Sequence, residues 1–252
     1  MKGLKLLSLI VPAYKQEKTI IEDVKNLDKV LSSFVYEHEI IVVVDGFLDK
    51  TFEKAKTIRN KTVRVVGYEK NHGKGYAVKY GILKAKGDVV GFIDAGMDLN
   101  PSEISIALDL MEWNKADIIV GSKLHPDSKV NYPTIRKIMS WGYRSLTHLF
   151  FGFNVKDTQV GLKFFKRKVA YDIFSKIIIK SFAFDVEVLA VAYKLGYKKI
   201  YEFPIKLNFR GNSSIASVVS LSFWKIISLM LWDTMAIFYR LKILHYYDRI
   251  KK

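Results

Sequence analysis

The chain has 252 residues, half of them apolar, a formal charge of +16 and no cysteine. That length suits one large domain, or one domain with an appendage, and supplies enough apolar residues for a sizeable core. The absence of cysteine excludes disulfides and thiolate metal sites, and the positive charge points to an anionic partner: nucleic acid, phosphorylated substrate or acidic membrane surface.

The opening MKGLKLLSLIVPAY places lysines before an apolar run. The run is too short and too β-branched at its end for a signal peptide, and no small-residue cleavage site follows. It is expected to be the first strand, residues 6–11, of a cytosolic domain. Ile20, Val24, Leu27, Leu31 and Phe34 then recur at spacings of three and four, as an amphipathic helix requires. EIIVVV at 39–44 is a fully buried strand ended by Asp45-Gly46. Residues 51–58 read as a helix and 63–66 as a third strand. Asn71 to Gly75 form a loop that leads into a helix over 76–86. After a fourth strand, residues 103–113 are helical and ADIIVGS at 116–122 is a fifth strand. Strands alternating with helices of this length imply βαβ units and a mostly parallel sheet. Right-handed crossovers bring Pro12-Ala13-Tyr14, Asp45-Gly46 and Asp94-Ala95-Gly96 to one rim, the default binding crevice.

In the second half, 135–151 is helix-like and carries Arg136, Lys137 and Arg144. Residues 157–165, DTQVGLKFF, look like a strand or hairpin edge. Residues 184–195 are helical, with Asp185 and Glu187 in the first turn and Gly196 as C-cap. A strand over 199–207 contains Pro204, and 208–214 is a loop. The tail, 215–252, is aromatic and aliphatic, interrupted by Lys225, Asp233, Arg240 and Lys242. No run of about 20 uncharged apolar residues occurs, so a transmembrane helix is not expected. Trp224, Trp232, Phe238, Tyr239, Tyr246 and Tyr247 among basic residues suit an interfacial amphipathic helix. Packing on the main domain, or an oligomer interface, is the plainer reading, and the two are compatible.

Residues 87–101, GDVVGFIDAGMDLNP, organise the chain. The buried strand VVGFI ends in Asp94 and Asp98 around a small Ala-Gly pair, and Pro101 opens the next helix. Carboxylates at such a strand end sit where ligands bind. Two oxygen donors on a tight turn suit a hard divalent cation, which commonly holds phosphates. The plainer reading has Asp98 facing a helix N-terminus and Asp94 capping the strand.

VPAYKQE at 11–17, EIIVVVDGFLDKT at 39–51, NHGKGYAV at 71–78 and GDVVGFIDAGMDLNP at 87–101 together resemble the motifs of inverting family 2 glycosyltransferases with the GT-A fold. The resemblance runs to about residue 210. DTQVGLKFF followed by FAFDVEVL is most similar to the polyprenyl-phosphate glycosyltransferases, of the dolichyl-phosphate β-glucosyltransferase and dolichol-phosphate mannose synthase type. The resemblance implies an α/β, Rossmann-like GT-A fold, with a mostly parallel sheet and helices on both faces. The catalytic domain would span 1–214, and 215–252 would supply amphipathic membrane-interface or oligomerisation helices. The implied reaction moves glucose or mannose from UDP-glucose or GDP-mannose to polyprenyl or dolichyl phosphate, with inversion and with Mg²⁺ or Mn²⁺. Two departures stand out. Val44-Asp45 keeps one acid of the family's pair, and Asp94-Ala95-Gly96 loses the second acid of its "DxD", with Asp98 falling at a further ligand position.

By that resemblance Pro12, Ala13 and Tyr14 line the nucleobase pocket. Glu17 touches the ribose or starts a helix, and Asp45 accepts the base N–H or is a structural turn residue. Lys74 and Ala95 approach the nucleotide, and Asp94 and Asp98 hold the metal. A phosphate acceptor is already an anion, so it needs cationic positioning more than a general base. Lys123 and Arg136 match the acceptor-phosphate cations and complete a catalytic set with Asp94, or are solvated surface charges. Asp157 and Gln159 border the sugar, or cap turns. Asp185 and Glu187 face sugar or acceptor, or are helix N-terminal charges. Arg210 and Ser213 close over the diphosphate, and His72 is a loop residue. The expected partners are a nucleotide sugar, a polyprenyl phosphate lipid and acidic membrane lipid at the cytoplasmic face, with homo-oligomerisation open and nucleic acid not expected. Two other readings remain. One is the same fold glycosylating a sugar or protein hydroxyl, with Asp157 or Glu187 as base. The other is a non-enzymatic membrane or nucleic-acid adaptor.

Overall fold

The buried apolar runs assemble into one seven-stranded sheet. The computed structural model describes residues 4–96, 99–131, 134–208 and 221–249, without the side chains of 131, 134–139, 208, 221–223 and 249. Strands β1 (Leu6–Ala13), β2 (Glu37–Asp45), β3 (Val63–Tyr68), β4 (Val89–Ile93) and β5 (Ile118–Ser122) form the sheet with two later ones. A short β6 (Lys129–Asn131) follows; β7 (Leu162–Lys166) and β8 (Ile200–Pro204) complete the order β3-β2-β1-β4-β7-β5-β8. Only β7 runs antiparallel to its neighbours, β4 and β5. The last strand, β9 (Lys206–Asn208), pairs with β6 in a separate ribbon.

Strand alternation decides which helices cover which face. Leu7, Leu9, Val11 and Ala13 of β1 pack with α1 (Ile20–Leu31), α2 (Thr51–Lys56) and α4 (Glu103–Trp113). Ile10, on the other side, packs with α3 (Lys74–Ile82), α6 (Arg167–Phe174) and α7 (Phe184–Lys194). Helices thus cover both faces, as expected for strands that are buried on both sides. Helix α7 ends in a Schellman turn, with Gly196 at φ +87° and Tyr197 N–H reaching Ala192 O at 3.0 Å.

Three readings of the sequence are corrected. Residues 157–165 hold a strand, as one reading has it, but not a hairpin edge, because that strand lies between β4 and β5 inside the sheet. Gly91 of β4 makes that position possible: a Cβ there would lie 2.2 Å from the Phe164 ring of β7. The single strand expected over 199–207 is two, because Pro204 closes β8 and β9 joins a different sheet. Lys74 is not a loop residue but the first residue of α3.

Helices α5 (Thr134–Phe151) and α8 (Leu221–Phe238), a π-helical turn (Tyr239–Ile243) and α9 (Tyr246–Arg249) complete the chain. No helix among the described residues is long and apolar enough to cross a membrane. The tail helices pack on the sheet domain through polar contacts. Thr234 of α8 bonds Tyr143 of α5 at 2.8 Å, Ser181 donates to Asp233, and Tyr247 of α9 donates to Glu187 at 2.5 Å. Their outer side leaves Trp232, Met235, Tyr239 and Ile243 exposed.

Glu103 opens α4 and is buried, with Oε1 accepting from Lys206 N–H of β9 and Oε2 without a hydrogen-bond partner. Burial pushes its carboxyl up to about 7, against the opposing pull of the Lys206 N–H and charge. A carboxyl raised in the folded state favours folding at low pH, and that contribution disappears as pH rises through the folded value. Glu103→Gln is therefore expected to match wild-type stability near pH 5 and to exceed it by roughly 2 kcal/mol at pH 8. Urea unfolding at both pH values measures the difference; a gap that does not change with pH rejects this role for Glu103.

Candidate active site

The rim at the C-terminal ends of β1, β2 and β4 is built by side chains that bind its loops to one another. Pro12 and Ala13 end β1 opposite Val43 and Val44 of β2, and Tyr14 beyond them is 45% exposed. Glu17 does not start a helix, because α1 begins at Ile20. Its Oε2 accepts from Lys50 N–H at 3.2 Å and its carbonyl from Lys54 Nζ at 2.8 Å. Asp49 and Thr51 tighten the same junction: Thr51 donates to Asp49, and Gln16 N–H donates to Thr51 Oγ1 at 2.8 Å.

Asp45 is buried at the end of β2 and shapes the next loop. Its Oδ1 accepts from His72 N–H at 2.8 Å, and its Oδ2 from Asn71 Nδ2 at 2.8 Å and Gly73 N–H at 2.9 Å. His72 joins Tyr68 and Tyr76 in an aromatic cluster, with centroids 5.3 and 4.6 Å away. Gly73 has φ +98°, and a Cβ on it would lie 2.5 Å from Lys180 O, so only glycine fits there. The loop thereby delivers Lys74 to the rim.

Lys74 Nζ pairs with Asp94 Oδ1 at 2.6 Å. Burial works against the Lys74 charge, but Asp94 and Asp185 outweigh it and hold the ammonium above its ordinary pKa. Asp94 follows β4, and its N–H donates to Gly161 O at 3.1 Å. Its carboxylate lies directly over Gly161, where a Cβ would come within 2.0 Å of Oδ2. Ala95 and Gly96 continue the turn, with Gly96 at φ +100°. Asp98 lies outside the described residues, as do Arg210 and Ser213.

Lys123 follows β5, and its N–H donates to Asp157 Oδ2 at 3.0 Å while its Nζ lies 3.5 Å from the same oxygen. Asp157 is buried, and its Oδ1 also accepts from Gln159 N–H at 3.1 Å. Gln159 Nε2 is a buried donor without a hydrogen-bond partner. Arg136 stands in the first turn of α5, with its side chain outside the described residues. Asp185 and Glu187 are both buried. Asp185 pairs with Lys163; Glu187 accepts from Ile178 N–H, from Ile179 N–H at 2.7 Å and from Tyr247.

Lys163 and Gly161 are not among the residues that the sequence singles out as site candidates. The signal for Lys163 was a lysine inside the apolar strand LKFFK, and for Gly161 a glycine just before it. Among the described residues no cluster of three or more potential metal ligands exists. The single carboxylate Asp94 nevertheless fits a hard cation. Its Oδ1 is a buried oxygen with an ion pair but no hydrogen bond of normal geometry, and Mg²⁺ is ordinarily held by one or two carboxylates plus substrate phosphates.

Comparison with known proteins bears on the whole arrangement. The model of Glycosyl transferase family 2 matches residues 8–174. A dolichyl-phosphate beta-glucosyltransferase of Drosophila melanogaster is 33% identical over 208 residues, 75% of this chain and 63% of that protein. The protein of that name from Homo sapiens is 31% identical, again over 75% of this chain and 63% of its own length. One from Trichomonas vaginalis is 32% identical over 96% of this chain and 76% of its own. The chain thus spans less than two thirds of the length of the first two. Among solved structures, glucosyl-3-phosphoglycerate synthase from Mycobacterium tuberculosis with UDP has a TM-score of 0.68 at 16% identity, over 93% of this chain and 79% of that one. The same enzyme with Mn²⁺, UDP-glucose and phosphoglyceric acid has a TM-score of 0.69 at 16% identity, over 93% and 80%. The likeness shows the GT-A architecture, and the family model, which matches over half of the chain, shows that the chain belongs to glycosyl transferase family 2.

Proposed function

We propose that this protein transfers glucose from UDP-glucose to a polyprenyl phosphate, with inversion, at the cytoplasmic surface of a membrane. The observation that carries the choice of acceptor is the commitment of the carboxylates around the rim. Asp157 is held by Lys123 and Gln159, Asp185 by Lys163, and Glu187 by two backbone N–H groups and Tyr247. A hydroxyl acceptor needs a carboxylate that it can reach as base, and these three are buried. A phosphate monoester does not, because it is already an anion, and the cation Lys123 suits it. The names of the curated relatives support the same acceptor and sugar.

In this reading Asp94 would hold Mg²⁺ or Mn²⁺, which supplies Lewis-acid stabilisation of the departing nucleoside diphosphate. Lys74 then faces the donor phosphates from the start of α3. Pro12, Ala13 and Tyr14 border the base, and Asp45 acts through the loop it shapes. Lys123, with Arg136 on α5, attracts the acceptor phosphate toward the sugar carbon, and Gln159 offers its spare N–H to a sugar hydroxyl. The exposed Trp232, Met235, Tyr239 and Ile243 form a face suited to lipid headgroups and acyl chains. The chain's high positive charge favours anionic lipid.

The test is an assay with UDP-glucose and Mn²⁺ on vesicles containing a short polyprenyl phosphate, with free glucose and a glycoside as competing acceptors. Formation of a glucosyl phospholipid alone is the expected result. Transfer only to the hydroxyl acceptors would reject the proposal in favour of the second reading.

A further inference from the structure

Charges of alternating sign run beneath the end of β4, inside an otherwise apolar layer. Lys163 of β7 is fully buried (0% exposed) on the face it shares with Phe165, and its Nζ lies 5.4 Å from the centre of the Phe92 ring. It donates to Val160 O at 2.7 Å and to Asp185 Oδ1 in the first turn of α7. Asp185, itself buried, acts electrostatically on Lys74, and Lys74 pairs with Asp94. The series is therefore Lys163, Asp185, Lys74, Asp94, with no net charge.

Stability is a weak reason for such a series. Well-packed apolar residues in place of a buried ion pair are often as stable or more so. Its position suggests a different reason. Lys163 approaches the seat of Asp94 from two directions. Its bond to Val160 O fixes the peptide that leads into Gly161, and Gly161 both accepts the Asp94 N–H and lies under its carboxylate. Its pairing with Asp185 holds the start of α7, where Lys74, the cation paired with Asp94, has its Nζ 5.8 Å from the centre of the ring of Phe184, the residue before Asp185.

We propose that Lys163 and Asp185 are positioning residues for Asp94, holding the Val160–Gly161 peptide beneath its carboxylate and the Lys74 ammonium beside it. The proposal rests on reading Asp94 as the carboxylate on the donor side. Groups that orient a metal-binding side chain without touching the metal change its affinity by about ten- to a hundredfold when removed.

The experiment titrates UDP with Mn²⁺ calorimetrically into wild type, Lys163→Met/Asp185→Leu and Asp185→Asn, with the melting temperature of each. Wild type is expected to bind. The double variant is expected to melt at or above the wild-type temperature, because both charges leave together, and yet to bind about tenfold more weakly or worse. A double variant with both wild-type melting and wild-type affinity would make the pair purely structural and overturn the proposal. If the double variant melts early, Asp185→Asn decides, since it keeps an acceptor for Lys163 while removing the charge near Lys74. Weakened Mn²⁺–UDP binding supports the proposal, and unchanged binding overturns it. Failure of wild type itself to bind removes the donor-side reading of Asp94, a result separable from any difference among the variants.

Discussion

Replacing Asp94 by Asn is expected to lower kcat/KM for sugar transfer about a thousandfold, a loss of the size seen when a group that stabilises developing charge is removed. Metal-dependent UDP binding should disappear with it. The fold should hardly notice. The Asp94 side chain is 41% exposed, and partly exposed ion pairs such as that with Lys74 contribute about 1 kcal/mol or less. Asn keeps the shape over Gly161 and leaves the backbone bond to Gly161 O in place. Lys74 also retains Asp185 as an acidic neighbour. Steady-state kinetics with and without Mn²⁺, beside a thermal melt, give the comparison. A variant that keeps most of its activity and its response to Mn²⁺ would remove Asp94 from the chemistry. A variant that melts far below wild type would mean that Asp94 serves the fold.

The first half of the sheet was legible because its information is local. EIIVVV is buried on both faces and had to be a central strand, and the three- and four-residue spacing from Ile20 to Leu31 allowed little besides a helix. The slot taken by β7 was not legible. It depends on Gly91 and Phe164 fitting together across a strand pair separated by 73 residues of chain, which no local pattern encodes. The helix over Arg167–Phe174 has no counterpart among the elements expected from sequence, although Val169, Ala170, Ile173 and Phe174 mark its buried face. At the site, residue types were readable and partners were not. Asp45, Asp157 and Glu187 looked like candidates for ligand contact because acidic residues near a strand end or a helix start attract that reading. Each proves to be engaged by N–H or cationic groups far away in sequence or across a turn. Lys163 carried the opposite difficulty, because a lysine in a strand reads as an edge or surface residue until its depth is known.

Glu187→Ala is expected to cost about 3–5 kcal/mol of folding stability, since it leaves three buried donors without an acceptor at about 1–3 kcal/mol each. Ile178 N–H, Ile179 N–H and the Tyr247 hydroxyl would lose their acceptor together, at 0% exposure where water does not replace it. For a chain of this size that is a fall in melting temperature of roughly 6–20 °C. Tyr247→Phe removes one of those donors and leaves the others satisfied, so its cost should be about 1–2 kcal/mol. The two variants also separate two consequences. Both should release α9 and raise its cleavage by protease, because Tyr247 ties it to α7 through Glu187. Only Glu187→Ala disturbs the stretch at 178–181, and that stretch supports the active-site rim. Lys180 O accepts from Gly75 N–H at 2.8 Å and abuts Gly73, so it sets where α3 begins and where Lys74 points. At a temperature where both variants are folded, transfer should therefore fall further in Glu187→Ala than in Tyr247→Phe. Equal activities would mean that the 178–181 stretch holds its place without Glu187, and that the Gly73–Gly75 turn alone aims Lys74 at Asp94.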